Sequence, residues 1–133
     1  GVRWPGRLET IALPGGRSAL LDAAHNVAGA EALAQHLRAY APRPLVMAAM
    51  RDKDVGAMVK TLAPVVSGVV ATRASNPRSL EPAELAAIVA REAPALPVRV
   101  ADTPGGALQQ AWAGGRSIVV AGSIFLLADV MRE

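Results

Sequence analysis

The sequence predicts a three-layer α/β domain whose mostly parallel sheet has about six strands and begins with an antiparallel hairpin. Short apolar runs rich in valine and isoleucine alternate with alanine-rich stretches of helical spacing along the whole chain. The 133 residues are one domain's length, and 52% hydrophobic against 19% charged residues excludes a disordered chain. Helices this short between strands act as right-handed crossovers, which makes the strands parallel.

The first half of the chain is predicted to fold as a hairpin followed by a helix, a strand and a second helix. Strands over residues 8–13 and 18–21 flank the turn-forming triplet Pro14-Gly15-Gly16. Apolar residues at helical spacing then predict a helix over residues 28–40, which has to end before Pro42. An apolar strand is expected over residues 45–49, and a helix with one apolar face over residues 55–62.

The second half repeats this alternation three times. A strand is predicted over residues 69–72, and a helix that opens at Pro82 and ends at Pro94. A short strand over residues 98–100 precedes a helix over residues 104–112. The continuous apolar run 118–121 is typical of a strand buried on both faces, and a last helix follows over residues 124–131.

Composition excludes several classes of function. Without cysteine there is no disulfide framework and no thiolate metal site, so no metal site is predicted. No apolar stretch approaches the roughly 20 residues of a transmembrane helix. The net charge of +3 is mild and the arginines are spread along the sequence, so nucleic-acid binding is not expected. The start at Gly1 has neither an initiator methionine nor an export pattern, which suggests a piece of a longer protein.

In sheets of this kind ligands bind beyond the carboxyl ends of the strands. That rule selects five segments as candidate sites: residues 22–26, 50–54, 72–78, 101–103 and 122–123. The first combines a carboxylate, an imidazole and an amide. Helix capping explains Asn26 and a turn explains Asp22, but neither explains His25, so a function is favoured for Asp22 and His25.

The remaining candidates also have simpler structural interpretations. Arg7 precedes the first strand and fits either a solvated surface or a clamp for phosphate or carboxylate. Asp54 is a good helix cap, and Asn76-Pro77-Arg78 reads as a turn. Gly122-Ser123 joins a buried strand to a helix, where it serves as an anion site or as a cap. No P-loop and no Gly-x-Gly-x-x-Gly motif is present.

Taken in order, several motifs resemble the carboxyl-terminal domain of the folylpolyglutamate synthase and dihydrofolate synthase family, within the Mur ligase superfamily. The resemblance covers essentially all of residues 1–133 and departs at Val27, where the family usually has proline. The motifs are Pro5-Gly6-Arg7-Leu8-Glu9, Leu20-Leu21-Asp22-Ala23-Ala24-His25-Asn26, Met50-Arg51-Asp52-Lys53-Asp54, Asn76-Pro77-Arg78 and Val120-Ala121-Gly122-Ser123.

The resemblance implies a Rossmann-like domain of a cytoplasmic, ATP- and Mg²⁺-dependent ligase that adds L-glutamate to folate or dihydropteroate through an acyl phosphate. A central ATPase domain would carry the P-loop and the metal ligands, and this domain would close over it. By the same resemblance Arg7 and Asp22 match ATP-contacting positions, while His25, the candidate catalytic residue, and Ser123 match positions near the incoming amino acid. Two alternatives stay open: another Mur-type ligase, and a non-catalytic nucleotide- or anion-binding module.

Overall fold

The structure, a computed structural model, describes residues 8–132. It confirms the predicted class, because six strands form one sheet that is flanked by helices on both faces. The strands are β1 (Glu9–Leu13), β2 (Arg17–Leu21), β3 (Arg43–Met47), β4 (Val66–Ala71), β5 (Val98–Val100) and β6 (Ser117–Ala121). The helices are α1 (Val27–Leu37), α2 (Val55–Leu62), α3 (Pro82–Glu92), α4 (Pro104–Ala113) and α5 (Ile124–Met131).

The strand order across the sheet is β1-β2-β6-β3-β4-β5. Of the five pairs formed by these six described strands, the β1–β2 hairpin is antiparallel and the other four are parallel. The last strand, β6, is therefore inserted between β2 and β3, which are separated in the chain only by α1. All the parallel strands point their carboxyl ends to one edge of the sheet.

Two apolar cores, one on each face of the sheet, produce the three layers. Leu33 of α1, Met58 of α2 and Leu85 of α3 pack in the core of one face. Leu108 of α4 and Leu126 of α5 pack in the core of the other. Side chains of the central strands alternate between the two cores, as strand geometry requires. The loops after β2 and β6 consequently enter helices on opposite faces of the sheet.

The third strand begins and ends two residues earlier than the sequence predicts. Its pairing with β4 shifts register between Arg43 and Pro44, and this irregularity accommodates a proline that has no N–H to donate. At the other end Ala48 and Ala49 are buried but lie beyond the ladder, because the neighbouring strands stop opposite Met47. The predicted strand over residues 45–49 is corrected to Arg43–Met47 for these reasons.

The first helix also differs from its predicted span, since it ends at Leu37 and not at residue 40. Beyond it the backbone N–H of Tyr40 donates to the carbonyl of Leu37 over 3.0 Å, a tighter i→i−3 bond that closes the helix. Propensity favours continuing the helix through Arg38 and Ala39, but Pro42 and Pro44 require the chain to turn and enter β3.

Candidate functional site

The candidate site lies where the connections after β2 and β6 diverge to opposite faces of the sheet. A crevice forms at such a point because neighbouring loops move apart, and it is where open α/β sheets bind ligands. The loop after β2 is joined to β6 by the N–H of Asp22, which donates to the Val120 carbonyl over 3.0 Å. The N–H of Gly122 donates in turn to the Ala24 carbonyl over 2.9 Å. The two loops are thus one hydrogen-bonded unit.

The Asp22 carboxylate is fixed by its own loop. Its Oδ1 accepts a hydrogen bond from the N–H of Ala24 over 2.8 Å, which is the Asx-turn contact that aspartate makes after a strand. The residue is half-buried, so the carboxylate is both positioned and accessible. A fixed carboxylate at a strand end is suited to accept hydrogen bonds from the hydroxyls of a ligand.

The His25 side chain is exposed, and one of its ring nitrogens contacts the backbone of its own loop. Its Nδ1 lies 3.0 Å from the carbonyl oxygen of Ala23. Since a carbonyl can only accept, this contact favours the neutral tautomer that carries its proton on Nδ1 and leaves Nε2 as an acceptor. The imidazole therefore offers an acceptor to a cationic amine, and its protonated form would offer a donor to a carboxylate.

Asn26 has the capping role expected from the sequence. Its Oδ1 accepts from the N–H of Gly29 over 2.8 Å at the start of α1. A Cβ at Gly29 would lie only 3.1 Å from the Cα of Ala24, so this first turn packs directly under the Asp22–His25 loop. The helix start and the loop therefore support each other.

A pocket of about 330 Å³ brings these residues together. Its polar wall is the loop after β2, and its apolar wall comes from Leu8 just before β1, from α1 and from the first residue of α5. The lining residues are Leu8, Asp22, Ala23, Ala24, His25, Asn26, Gly29, Ala32, Leu33 and Ile124. An apolar slot with a carboxylate and an imidazole at one side is suited to a small organic ligand that carries hydroxyl or charged groups.

Ser123 is adjacent to this pocket but does not line it. The residue is 1% exposed, and its Oγ accepts from the N–H of Phe125 over 3.1 Å at the start of α5. Gly122 before it has φ +110°, and a Cβ there would lie 2.1 Å from the carbonyl oxygen of Ala48. Only glycine allows the loop after β6 to approach the chain after β3 this closely. Arg7, the other predicted contact, lies outside the described residues.

The predicted segments after β3 and β4 form a second cluster made of ion pairs. Arg51 makes two hydrogen bonds to Glu84, of 2.7 and 2.9 Å, and Arg78 lies 3.3 Å from Asp52. The hydrogen bonds from Arg51, followed by the one from the N–H of Glu81, lower the pKa of Glu84 to about 2. Glu84 therefore remains ionised, and its attraction to Arg51 persists, until the pH falls toward that value.

The other predicted residues have structural roles. Asp54 caps α2 by accepting from the N–H of Ala57, and Thr103 caps α4 by accepting from the N–H of Gly106. The Asn76 side chain closes its turn by accepting from the N–H of Arg78. The capping interpretation of Asp54 and the turn interpretation of Asn76-Pro77-Arg78 are confirmed, and the capping role of Thr103 was not predicted.

One buried acid escaped the sequence interpretation. Asp129 of α5 is 6% exposed, and its Oδ2 accepts from the N–H of Ser75 over 2.8 Å. It also bonds to Arg132 in the following turn. It joins α5 to the loop after β4. The sequence contained a signal for this role, because Asp129 is the one charged residue in the otherwise apolar helix Ile124–Met131.

Comparison with known proteins decides the family. The family model described as "Mur ligase, glutamate ligase domain" matches residues 6–124, which is most of the chain. The chain belongs to the Mur ligase glutamate ligase domain family. The resemblance derived from the Asp22–Asn26 block and its companion motifs is therefore confirmed.

Relatives of this glutamate ligase domain are folate enzymes. A Mycobacterium tuberculosis dihydrofolate synthase/folylpolyglutamate synthase is 44% identical over 91 residues, which are 64% of this chain and 18% of that protein. The M. tuberculosis folylpolyglutamate synthase structure complexed with ADP and AMPPCP is 33% identical, with a TM-score of 0.85 over 98% of this chain and 32% of that chain. The chain thus spans about a third or less of these relatives.

A more distant structure supports the fold of the glutamate ligase domain. The E. coli FolC structure in complex with DHPP and ADP is 24% identical, with a TM-score of 0.83 over 97% of this chain and 31% of that chain.

None of the helices that the structure describes here is long and apolar enough to cross a membrane.

Proposed function

We propose that this glutamate ligase domain supplies one wall of the active site of an ATP-dependent ligase that adds L-glutamate to folate or dihydropteroate. The observation that carries the proposal is the pocket in which Asp22 and His25 meet on one fixed loop at the divergence of β2 and β6. The relative and the structural neighbours named above are enzymes of this type, and two of those structures contain ADP.

In the proposed reaction ATP phosphorylates the substrate carboxylate, and the amine of glutamate attacks the resulting acyl phosphate and displaces phosphate. Asp22 accepts hydrogen bonds from the nucleotide, and Arg7 stabilises the charge that develops on the phosphates. His25 is placed beside the incoming amino acid, where its Nε2 orients the amine or its protonated ring holds a carboxylate. Ser123 is buried and caps α5, so its proposed part is to hold the start of α5, where Ile124 lines the pocket, beside the amino acid.

The Mg²⁺ that such a phosphoryl transfer implies does not fit this site. Among residues 8–132 no three histidine, aspartate or glutamate side chains converge as metal ligands do. The metal and the P-loop are assigned to a central ATPase domain, over which this domain closes. Closure excludes water from the acyl phosphate and completes the site only when the substrates are bound.

The 133-residue chain alone is expected to fold but to show neither ATP hydrolysis nor glutamate ligation, because it has no P-loop. Phosphate release and glutamate incorporation should be measured with folate, dihydropteroate, ATP and Mg²⁺ present. A complete ligase that carries this domain serves as the positive control. Turnover by the chain alone would show that the proposed division between two domains is wrong.

Asp22 and His25 share a loop, but we expect their substitution in the complete ligase to impair the use of different substrates. Asp22→Asn keeps an oxygen that can accept from the N–H of Ala24 while it loses the negative charge. We expect it to raise the KM for ATP about tenfold or more, the usual effect of losing a hydrogen bond to a charged group. His25→Ala should instead raise the KM for glutamate, about three- to tenfold.

Steady-state kinetics with each substrate varied separately tests this assignment. The control is Asn26→Ala, which removes the cap of α1 and leaves both proposed ligand contacts in place. It should lower the thermal stability with little change in either KM. If all three variants lose affinity for both substrates to the same degree, the segment only holds the start of α1 and the assignment fails.

A further inference from the structure

The edge of the sheet opposite the candidate site carries three arginines that are far apart in the sequence. Arg17 begins β2, Arg116 directly precedes β6 and Arg43 begins β3, so they lie at the amino ends of three adjacent strands. The N–H of Ser18 donates to the carbonyl of Arg116 over 2.8 Å. With about 4.8 Å between neighbouring strands, the three backbones lie within about 10 Å of one another. We call these residues the arginine cluster.

No carboxylate among the described residues neutralises the arginine cluster. The ion pairs between described residues use Arg51, Lys60, Arg73, Arg78, Arg91 and Arg132. The ion pairs Arg51–Glu84 and Arg78–Asp52 lie at the other edge of the sheet. The cluster therefore places three positive charges at one edge of the sheet. Arg17 lies on the face covered by α4, against Trp112, and Arg43 lies on the face covered by α1, against Tyr40.

The guanidinium groups are held in place although they have no carboxylate partners. That of Arg17 lies 4.8 Å from the centre of the Trp112 ring, and its Nε donates to the carbonyl of Pro14. That of Arg43 lies 4.6 Å from the centre of the Tyr40 ring. Arg116 donates to the carbonyl of Gly15 over 3.1 Å. Ordered guanidinium groups lose less entropy when they bind an anion.

An apolar groove of about 410 Å³ adjoins the arginine cluster. It runs between the β1–β2 hairpin and the helices α4 and α5, and its lining includes Leu13, Leu108, Trp112 and Met131. Trp112 connects the two features, since its ring supports Arg17 and also lines the groove. Met131 is 48% exposed, so apolar surface is accessible there.

We propose that the arginine cluster and this groove form a docking surface for an acidic amphipathic segment of a partner protein. Carboxylates of the segment pair with Arg17 and Arg116, which bond to the hairpin turn beside the groove-lining Leu13, and its apolar side chains fill the groove. Nucleic acid fits less well, because the Trp112 and Tyr40 rings already stack against guanidinium groups and a groove with apolar walls does not follow a phosphate backbone. This surface is separate from the candidate site, so it does not depend on the proposed ligase function.

The test uses the intact chain and three fluorescent ligands at low salt. The first is a helical peptide of about 15 residues with glutamates and leucines on one face. The second has serine in place of each leucine, and the third is a single-stranded DNA oligonucleotide of the same charge. Anisotropy titrations should show the tightest binding for the leucine peptide.

Two matched variants separate the surface from the overall charge. Arg116→Gln removes one charge from the cluster, and Arg99→Gln removes one from the exposed face of edge strand β5. Arg116→Gln should weaken binding of the leucine peptide about two- to fivefold, whereas Arg99→Gln should leave it unchanged. Met131→Asp should weaken the leucine peptide more than the serine peptide.

Three results would overturn the proposal. Equal losses in Arg116→Gln and Arg99→Gln would mean that only net charge attracts the peptide. An oligonucleotide that binds as tightly as the leucine peptide would assign the surface to nucleic acid. No binding of the leucine peptide at low salt would show that the surface docks no acidic segment. Circular dichroism of each variant confirms that the compared proteins are folded.

Discussion

Gly122→Ala is expected to destabilise the domain by about 2–5 kcal/mol. Two costs add at this position. A non-glycine residue at φ +110° is strained by about 1–2 kcal/mol, and a Cβ placed 2.1 Å from the Ala48 carbonyl oxygen forces the backbone apart, as overpacking of about 1–3 kcal/mol does. Since small domains are stable by only about 5–15 kcal/mol, thermal or urea unfolding of the intact chain should show a large shift.

Gly15→Ala is the matched control for this experiment. Gly15 has φ +81°, but nothing lies within 4 Å of the position where its Cβ would stand. It should show the backbone cost alone, so Gly122→Ala should exceed it by about 1–3 kcal/mol. Equal destabilisation of the two variants would mean that the close approach of the β6 loop to Ala48 contributes nothing to stability.

Arg7→Ala in the complete ligase is expected to reduce turnover about 100- to 1,000-fold, the usual cost of losing one preorganised contact to charge that develops in the transition state. The expectation rests on the proposed role of Arg7 at the ATP phosphates. Because that contact strengthens as charge shifts during phosphoryl transfer, kcat should fall more than the KM for ATP rises. Steady-state kinetics at saturating folate and glutamate measures both constants.

Arg99→Ala provides the control for Arg7→Ala, since it removes an exposed arginine from edge strand β5, away from the pocket. It should leave kcat within about twofold, as surface substitutions generally do. If Arg7→Ala lowers the melting temperature strongly while the folded fraction keeps normal turnover, Arg7 is a structural residue and the proposed role is wrong.

The fold class could be predicted because each element has a local signature in the sequence. The period changes from two to 3.6 where β2 gives way to α1, and Pro82 and Pro94 delimit α3 at the sequence level. The irregular pairing at Pro44 was not visible, because it depends on how the strand meets β4. The insertion of β6 between β2 and β3 was likewise hidden, since strand order is decided by which helices pack on which face.

The strand-end position of two candidate site residues could be predicted, whereas the arginine cluster at the opposite edge of the sheet could not. Asp22 and His25 are neighbours in the chain, so their position at a strand end could be inferred from local sequence. The arginine cluster could not, because Arg17, Arg43 and Arg116 are brought together only by the strand order. Even spacing of arginines along a sequence therefore does not exclude their meeting at one edge of the sheet.

The central position of β6 has a consequence for the order in which the domain folds. The loop that carries Asp22 is bonded to Val120, almost a hundred residues later, so the crevice cannot form until nearly all of the domain has been synthesised. Pairings between residues this distant close slowly, because the entropy of a long loop is lost before any contact compensates for it. While the chain is being synthesised on the ribosome, the edges of β2 and β3 that later pair with β6 therefore remain unpaired. During that interval the nascent chain is most prone to pair with other chains.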